Sequence, residues 1–341
     1  MLQQVMLSPG EIVFREIEKP VIKADELLIR VMKIGICGSD VHVYHGTHPF
    51  TSYPVTQGHE VSGEVVEAGA ETSGFHVGQK VTIQPQITCG RCYLCRHGRY
   101  NLCENLKVMG FQTTGVASQY FAVPARLAVP LPDEMSFDCG AMIEPLAVAV
   151  HAVRKAGDPM GKNMVVIGLG PIGNLVFQAA KALGANRVLA VGRGGVRGEL
   201  AKKCGADVVI DSRTEDLEAA ILDTFGPDKA DVIFDCAGND VSIGDAIRCA
   251  RKGSQILLVA VFGKLANVDL AVLNDHELEL NTSMMYREED YKTAVELVAS
   301  GKVSLEPLMS KFFPFREYSA AYKYIDSHRS ETMKVIINVQ E

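Results

Sequence analysis

The stretch MVVIGLGPIGNLVFQAAKALGA, residues 164–185, decides the fold of this 341-residue chain. It opens with four apolar residues typical of a buried strand and closes with the apolar periodicity of a helix. A GxGxxG turn between a strand and a helix lets the backbone approach a pyrophosphate at the helix N-terminus. The stretch therefore predicts a dinucleotide site, whose candidate residues are Gly168, Gly170, Pro171, Ile172 and Gly173. The alternative is a glycine turn that only packs the helix against the strand.

The rest of the second half repeats this alternation of apolar strand and helix. After the glycine turn come the strands RVLAV, DVVID, DVIFD, QILLVA and LELNTS, and most segments between them have helical periodicity. Strands that alternate with helices form a parallel sheet with helices on both faces. We therefore predict an α/β fold, with a doubly wound, parallel-sheet Rossmann domain over residues 151–284.

The first half of the chain has a different pattern. Its short β-type runs, ELLIRVMKIGI, VSGEVVEAG, KVTIQPQ and SQYFAVPA, are separated by Gly and Pro turns. They predict a mostly antiparallel, β-rich domain over residues 1 to about 145. After residue 284 the sequence predicts two helices, EDYKTAVELVASGK and EYSAAYKYIDS, followed by a last strand, KVIINV.

Four cysteines lie close together in the segment TCGRCYLCRHGRYNLC, residues 88–103. Cys89, Cys92, Cys95 and Cys103 are separated by two, two and seven residues. Four thiolates at such spacing suit a closed, tetrahedral structural zinc site, within a lobe of about residues 85–106. An iron–sulfur cluster is disfavoured by the long last gap and by Glu104 in place of a proline. Surface thiols, a redox pair and disulfides fit this spacing and a reducing compartment less well than zinc does. Because a closed site leaves no position for substrate, the reactive site must lie elsewhere.

A second set of candidate ligands is scattered through the first half. GICGSDVH contains Cys37, Ser39 and His42, GHE contains His59 and Glu60, and MIEPLAV contains Glu144. Each residue alone has an ordinary structural explanation, such as a buried cysteine or a core histidine. Together, a thiolate, an imidazole and carboxylates form the mixed ligand set that catalytic zinc uses with one position open.

These motifs resemble the zinc-dependent medium-chain alcohol dehydrogenase family, and most of all its polyol (sorbitol-like) and sugar-acid branches. GICGSDVH, GHE, the four-cysteine lobe, EPLAV and GLGPIG occur in the family's order and approximate spacing over nearly the whole chain. The resemblance implies a GroES-like catalytic domain (1–150), a Rossmann domain (151–284) and a return to the catalytic domain (285–341). It implies two zinc ions per chain, one structural and one catalytic.

The resemblance also implies roles for individual residues. Cys37 and His59 would be ligands of the catalytic zinc, with Glu60 or Glu144 completing the set. Zinc would act as a Lewis acid on a secondary alcohol, and hydride would pass to the nicotinamide. Ser39 and His42 would relay the proton to solvent; the alternative for Ser39 is an ordinary turn residue.

The turn after the second Rossmann strand bears on which dinucleotide binds. NAD-selective domains place an acidic residue there for the ribose hydroxyls, but here RVLAV ends in Gly192-Arg193-Gly194-Gly195-Val196-Arg197. A small residue leaves room for a 2′-phosphate, and Arg193 and Arg197 offer charge-assisted hydrogen bonds. We therefore predict cofactor-binding roles for Gly192, Arg193 and Arg197 and a preference for NADP, with NAD and a flexible basic turn as the alternatives.

Composition limits the partners. The chain is 47% hydrophobic and carries a net charge of −7, with neither a basic cluster for nucleic acid nor an apolar run that could cross a bilayer. No secretion signal is recognisable, so a cytoplasmic location is expected.

The polar segment VYHGTHPFTSYP, residues 43–54, favours a polyhydroxylated substrate over an aliphatic alcohol. A polyol or sugar acid is therefore the expected small-molecule substrate. The alternatives are L-threonine or another secondary alcohol, and a non-catalytic homologue that binds a ligand or is structural. Family likeness implies a homo-oligomer, a dimer or tetramer, with LELNTS and the preceding NVDLAVL as contact edges.

Overall fold

The computed structural model describes residues 1–340 of the chain. Two compact units are present. The first contains Met1–Glu144, Arg287–Val295 and the chain from Met309 onward, and the second contains Pro145–Tyr286 and Glu296–Leu308.

The N-terminal segment, residues 1–142, is β-rich, as its short β-type runs predict. Its strands are β1 (Leu2–Ser8), β2 (Glu11–Glu16), β3 (Glu26–Ile36), β4 (Glu60–Ala68), β5 (Lys80–Ile83), β6 (Gln86–Ile87), β7 (Lys107–Val108), β8 (Tyr120–Pro124) and β9 (Ala128–Pro130). Its helices are short: α1 (Gly38–Tyr44), α2 (Tyr93–Arg96) and α3 (Phe137–Ala141). Strands β3 and β4 are antiparallel, and Gly35 lies opposite Glu60.

The second unit is the parallel α/β domain that the apolar strands predict. Its elements are α4 (Ile143–Lys155), β10 (Asn163–Ile167), α5 (Pro171–Ala182), β11 (Arg187–Gly192), α6 (Gly195–Lys203), β12 (Val208–Asp211), α7 (Leu217–Phe225), β13 (Val232–Asp235), α8 (Asp240–Cys249), β14 (Gln255–Leu258), α9 (Leu270–Asp275) and β15 (Glu279–Thr282). The strands are parallel in the order β12-β11-β10-β13-β14-β15. Strands β11 and β12 follow on one side of β10, and β13, β14 and β15 follow on the other side, so the connections change direction between β10 and β13. Open α/β sheets bind ligands at such a switch point.

The last part of the chain contains both predicted helices and the predicted strand. They are α10 (Glu288–Ala299) and α11 (Tyr318–Ser327), with β16 (Met309–Pro314) between them and β17 (Lys334–Asn338) at the end. Strand β17 pairs antiparallel with β3, so Val335 lies opposite Ile36 in a seven-stranded sheet. The C-terminal strand thereby brings its side chains next to the end of β3.

The observed units differ from the predicted segments at two places. The predicted boundary at residue 150 falls inside helix α4, and the first segment of the first unit ends at Glu144. Residues 296–308, predicted to return to the first domain, belong to the second unit. Two hydrogen bonds tie this segment to helix α5 of the second unit: Gln178 Nε2 donates to the Ser304 carbonyl (3.1 Å), and Ser304 N donates to Gln178 Oε1 (2.9 Å).

Among residues 1–340, no helix has both the length and the apolar character needed to span a bilayer.

Candidate active site

Three of the predicted catalytic ligands converge in the first unit. One ligand atom from each of Cys37, His59 and Glu60 lies within 4.8 Å of the others. Cys37 is the N-cap of α1, directly after β3, while His59 and Glu60 stand at the start of β4. Because β3 and β4 are neighbouring antiparallel strands, residues far apart in sequence meet at one end of the sheet. Thiolate, imidazole and carboxylate together are a donor set that suits zinc.

The space for the Glu60 carboxylate comes from a residue that the sequence analysis did not select. A Cβ atom at Gly35, which lies opposite Glu60 in the ladder, would overlap the carboxylate of Glu60. A residue with a side chain would therefore displace Glu60 from its position beside Cys37. The signal in the sequence is weak, because nothing in GICGSD distinguishes this glycine from one in an ordinary turn.

Lys334 is a second residue that sequence reasoning missed. Its Nζ lies 2.6 Å from both carboxylate oxygens of Glu60 and also donates to the Ile36 carbonyl at 3.3 Å. The Lys334 and Glu60 side chains are only 4% and 1% exposed. Burial lowers the pKa of Lys334, but the charges of Glu60 and Cys37 outweigh it and raise that pKa above its ordinary value. Lys334 is therefore charged, and it lies against the Glu60 carboxylate.

Asp40 contacts the other two candidate ligands, Cys37 and His59. Its Oδ2 accepts a hydrogen bond from the Cys37 backbone N–H at 3.0 Å, and its Oδ1 lies 3.5 Å from His59 Nδ1. Burial lowers the pKa of His59, but Asp40 and Cys37 outweigh that effect and hold it well above its usual value. A carboxylate behind a ligating imidazole fixes the ring's orientation and increases its basicity. Asp40 would thus support a metal ion held by Cys37 and His59; it lies in GICGSDVH but is not among the candidates predicted from that motif.

Ser39 and His42, the predicted proton relay, lie on helix α1 immediately after Cys37. Their three-residue spacing puts them on one face of the helix. Ser39 is partly buried and His42 is exposed, with its Nδ1 3.3 Å from Thr47 Oγ1. This order, a partly buried hydroxyl and then an exposed imidazole, is the one that proton transfer to solvent requires.

The ring of His48 belongs to the same neighbourhood. It stacks on Phe111 with centroids 4.7 Å apart, and Phe111 in turn packs against His59 at 4.9 Å. By contrast, Tyr44 stacks on Tyr322, and His45 pairs with Asp326 at 3.0 Å. Of the polar residues in the predicted substrate segment, His48 is therefore next to the ligand set, whereas Tyr44 and His45 pack against helix α11.

Glu144, the fourth candidate, is not one of the three residues whose ligand atoms converge. It is buried in the first turn of α4 and acts on this region through its charge, which contributes to the raised pKa of Lys334. The geometry therefore favours Glu60 over Glu144 beside Cys37 and His59.

The four lobe cysteines form a separate cluster. One sulfur from each of Cys89, Cys92, Cys95 and Cys103 lies within 4.8 Å of the others. The Cys103–Cys89 and Cys89–Cys95 sulfur separations are 3.5 and 4.0 Å, far longer than the roughly 2.05 Å of a disulfide. All four are free thiols.

The chemistry of these sulfurs fits a metal ion. Backbone amides point at them: Cys92 N lies 3.4 Å from Cys89 Sγ, and Asn105 N lies 3.4 Å from Cys103 Sγ. The amides of Arg91 and Cys92 lower the pKa of Cys89 to about 6, while loss of solvent and the adjacent thiols raise the pKa of Cys95 to about 12. Four close thiols cannot all ionise without a cation among them, and a tetrahedral divalent ion supplies the missing charge.

The glycine turn in the second unit has the shape of a dinucleotide cradle. Gly168 has φ +107°, which favours glycine, and a Cβ at Gly173 would overlap the Gly168 carbonyl. At Gly170, the N-cap of α5, a Cβ would have Arg197 Nη1 at 3.8 Å as its nearest neighbour. Pro171 occupies the first turn of the helix. Gly168 and Gly173 thus allow the tight turn, and the space next to Gly170 is open. A pyrophosphate in that space would lie at the N-terminus of α5.

The turn between β11 and α6 contains the position at which NAD-selective domains carry an acidic residue. A Cβ at Gly192 would lie 2.7 Å from the Leu169 side chain, so this site favours glycine. Arg193 is exposed and Arg197 is partly buried. Burial and, after it, the charge of Arg193 lower the pKa of Arg197. Two neighbouring cations beside an open cradle suit an anionic group.

Two family models match the chain. Residues 23–133 match the alcohol dehydrogenase GroES-like domain, and residues 171–300 match the zinc-binding dehydrogenase domain.

Similar curated proteins include the 2-dehydro-3-deoxy-L-galactonate 5-dehydrogenase of Pseudoalteromonas atlantica, which is 36% identical over 92% of each chain. Sorbitol dehydrogenase 1 of Saccharomyces cerevisiae is 34% identical over 98% of this chain and 96% of its own.

Among solved structures, a zinc-binding dehydrogenase of Sinorhizobium meliloti 1021 bound to NADP superposes with TM-score 0.91 at 31% identity, over 99% of each chain. An alcohol dehydrogenase of E. coli CFT073 in complex with NADH superposes with TM-score 0.92 at 27% identity, again over 99% of each chain.

Proposed function

The chain belongs to the zinc-dependent medium-chain alcohol dehydrogenase family, and from that premise we propose that it oxidises a secondary hydroxyl of a polyol or sugar acid with a nicotinamide dinucleotide. The observation that carries the proposal is the convergence of Cys37, His59 and Glu60 beside the Ser39–His42 helix. Relatives named for galactonate and sorbitol dehydrogenation support the substrate class.

We propose two zinc ions per chain, one in the four-cysteine lobe and one held by Cys37, His59 and Glu60. When bound, the second zinc supplies Lewis acidity toward an alcohol hydroxyl, and the dinucleotide supplies the hydride acceptor. The Ser39 hydroxyl, which both donates and accepts, takes the substrate's proton, and the exposed imidazole of His42 releases it to solvent. Asp40 holds His59 in its ligating orientation, and Lys334 holds Glu60.

The experiment that tests this function is an initial-rate panel of polyols, aldonates and L-threonine with both dinucleotides. We expect turnover with a polyol or aldonate. Turnover with L-threonine alone would replace the proposed substrate class, and no turnover with any compound would support a non-catalytic role.

We further propose that NADP is preferred to NAD. Glycine at position 192 removes the carboxylate that repels a 2′-phosphate, and Arg193 stands next to it. Arg193→Ala is therefore expected to lower kcat/KM for NADP by about tenfold or more and for NAD by less than about twofold, since only NADP loses a charge-assisted hydrogen bond.

Steady-state kinetics with both dinucleotides measures this preference. Arg248→Ala is the matched control, because Arg248 pairs with Asp245 and Glu218 near the end of α8. A higher kcat/KM with NAD that Arg193→Ala leaves unchanged would contradict the NADP preference.

A homo-oligomer completes the proposal, with the outer edge of β15 as a contact between copies. This edge strand carries Leu280, and Met284 follows it; these side chains are 37% and 48% exposed. Unpaired strand edges and exposed apolar side chains favour association. Light scattering at micromolar concentration is expected to give the mass of a dimer or tetramer, and a monomer would remove this element of the proposal.

A further inference from the structure

A bidentate ion pair between Asp211 and Arg213 lies at the C-terminal end of strand β12. Arg213 Nε lies 3.0 Å from Asp211 Oδ1, and Arg213 Nη2 lies 2.6 Å from Asp211 Oδ2. The Arg213 backbone N–H also donates to Asp211 Oδ1 at 3.0 Å. Both carboxylate oxygens are thus held by one residue two positions away, which fixes the guanidinium in place.

This pair lies directly beside the β11–α6 turn. Asp211 is the ladder partner of Gly192, and Ser212 N donates to the Gly192 carbonyl at 2.7 Å. A Cβ at Gly194, whose φ is +63°, would overlap the Asp211 carboxylate and lie 3.3 Å from Arg213 Nη2. The side chains of Asp211 and Arg213 therefore line the turn after β11, and Arg197 Nη1 would lie 3.8 Å from a Cβ at Gly170 in the glycine turn.

The charge balance at this turn favours an anion. Arg193 and Arg197 belong to the turn and Arg213 lies beside Gly194, while the Asp211 carboxylate that a Cβ at Gly194 would meet is paired with Arg213. The nearby Glu215 carboxylate accepts from Asp211 N at 2.7 Å, so three guanidinium groups stand against two carboxylates. Arginine has five N–H donors, and the two aimed at Asp211 leave others free for a second anion. The Arg213 side chain is 61% exposed, so a ligand in solvent can reach those donors.

We propose that Arg213 is a specificity-determining residue for the 2′-phosphate of the dinucleotide. It acts in two ways: it donates to the phosphate, and it neutralises Asp211, whose free carboxylate would repel that phosphate. The inference rests on the NADP preference proposed above and extends it to a residue that follows a different strand.

Isothermal titration of two cofactor fragments, 2′,5′-ADP and ADP, tests the proposal without turnover. Arg213→Ala is expected to weaken 2′,5′-ADP by about tenfold or more, the loss of a charge-assisted hydrogen bond plus an unmasked carboxylate, and ADP by less than about twofold. Asp211→Asn/Arg213→Ala is expected to recover part of the affinity for 2′,5′-ADP, because the repelling charge is gone. Arg248→Ala is again the matched control, and thermal unfolding checks that each variant folds.

The outcomes separate this inference from its premise. If the wild type prefers 2′,5′-ADP and Arg193→Ala removes that preference while Arg213→Ala does not, the role of Arg213 is overturned and the NADP preference stands. If the wild type binds both fragments equally and neither Arg193→Ala nor Arg213→Ala changes their affinities, the NADP preference and the role of Arg213 are both overturned. If the double variant binds 2′,5′-ADP as weakly as Arg213→Ala, the neutralising role of Arg213 is overturned.

Discussion

Cys37→Ser is expected to lower kcat/KM by at least about a thousandfold without unfolding the protein. Cys37 is one of three converging candidate ligands, and losing a zinc ligand removes several kcal/mol of Lewis-acid stabilisation, at about 1.4 kcal/mol per tenfold in rate. Serine has nearly the same size, and Cys37 is only partly buried, so the packing around α1 should survive. Elemental analysis should show one zinc equivalent per chain in place of about two, with an unchanged far-UV spectrum.

Cys92→Ser is the informative comparison. It removes one cysteine of the four-cysteine lobe, so we expect the protein to lose the zinc of the lobe and to unfold at a lower temperature. The molecules that remain folded should retain activity. Cys204→Ser, in the second unit and outside both clusters, should change neither zinc content nor rate. Wild-type turnover in Cys37→Ser would remove Cys37 from the catalytic assignment.

Lys334→Met is expected to lower the free energy of unfolding of the metal-free protein by about 3–5 kcal/mol, the usual result of leaving one member of a buried ion pair uncompensated. Glu60 is 1% exposed, and both of its oxygens face Lys334 Nζ. Methionine keeps the length of the side chain but not its charge. The measurement is a denaturant titration of chelator-treated protein.

The double variant Glu60→Gln/Lys334→Met is the matched control. Because it removes both charges, it should recover most of the lost stability. A Lys334→Met protein as stable as the wild type would contradict the account of Lys334 and Glu60 as a buried ion pair.

The order of strands and helices could be predicted because it depends on local patterns. MVVIG, RVLAV and DVIFD are short apolar runs, and each is a strand of the parallel sheet. The N-terminal run ELLIRVMKIGI spans the same residues as β3. The limits of the units were harder to predict than the order of the elements, because α10 is one helix whose residues are divided between the two units.

The candidate ligands could be selected from residue type and spacing, but their partners could not. Lys334 and Ile36 are 298 positions apart and meet because β17 pairs with β3, a pairing that no local pattern reveals. Arg213 likewise approaches the β11 turn because β12 is the neighbour of β11 in the sheet. Glu144 was selected by its motif, yet the geometry gathers Glu60 and not Glu144 beside Cys37.

The most direct measurement of the central claim is the zinc dependence of dinucleotide reduction with the best substrate of the polyol and aldonate panel. We expect chelation to reduce the rate to background, and added Zn²⁺ to restore it in the wild type but not in Cys37→Ser. Undiminished turnover in the metal-free protein, or full zinc-restored turnover in Cys37→Ser, would contradict zinc-dependent oxidation at Cys37, His59 and Glu60.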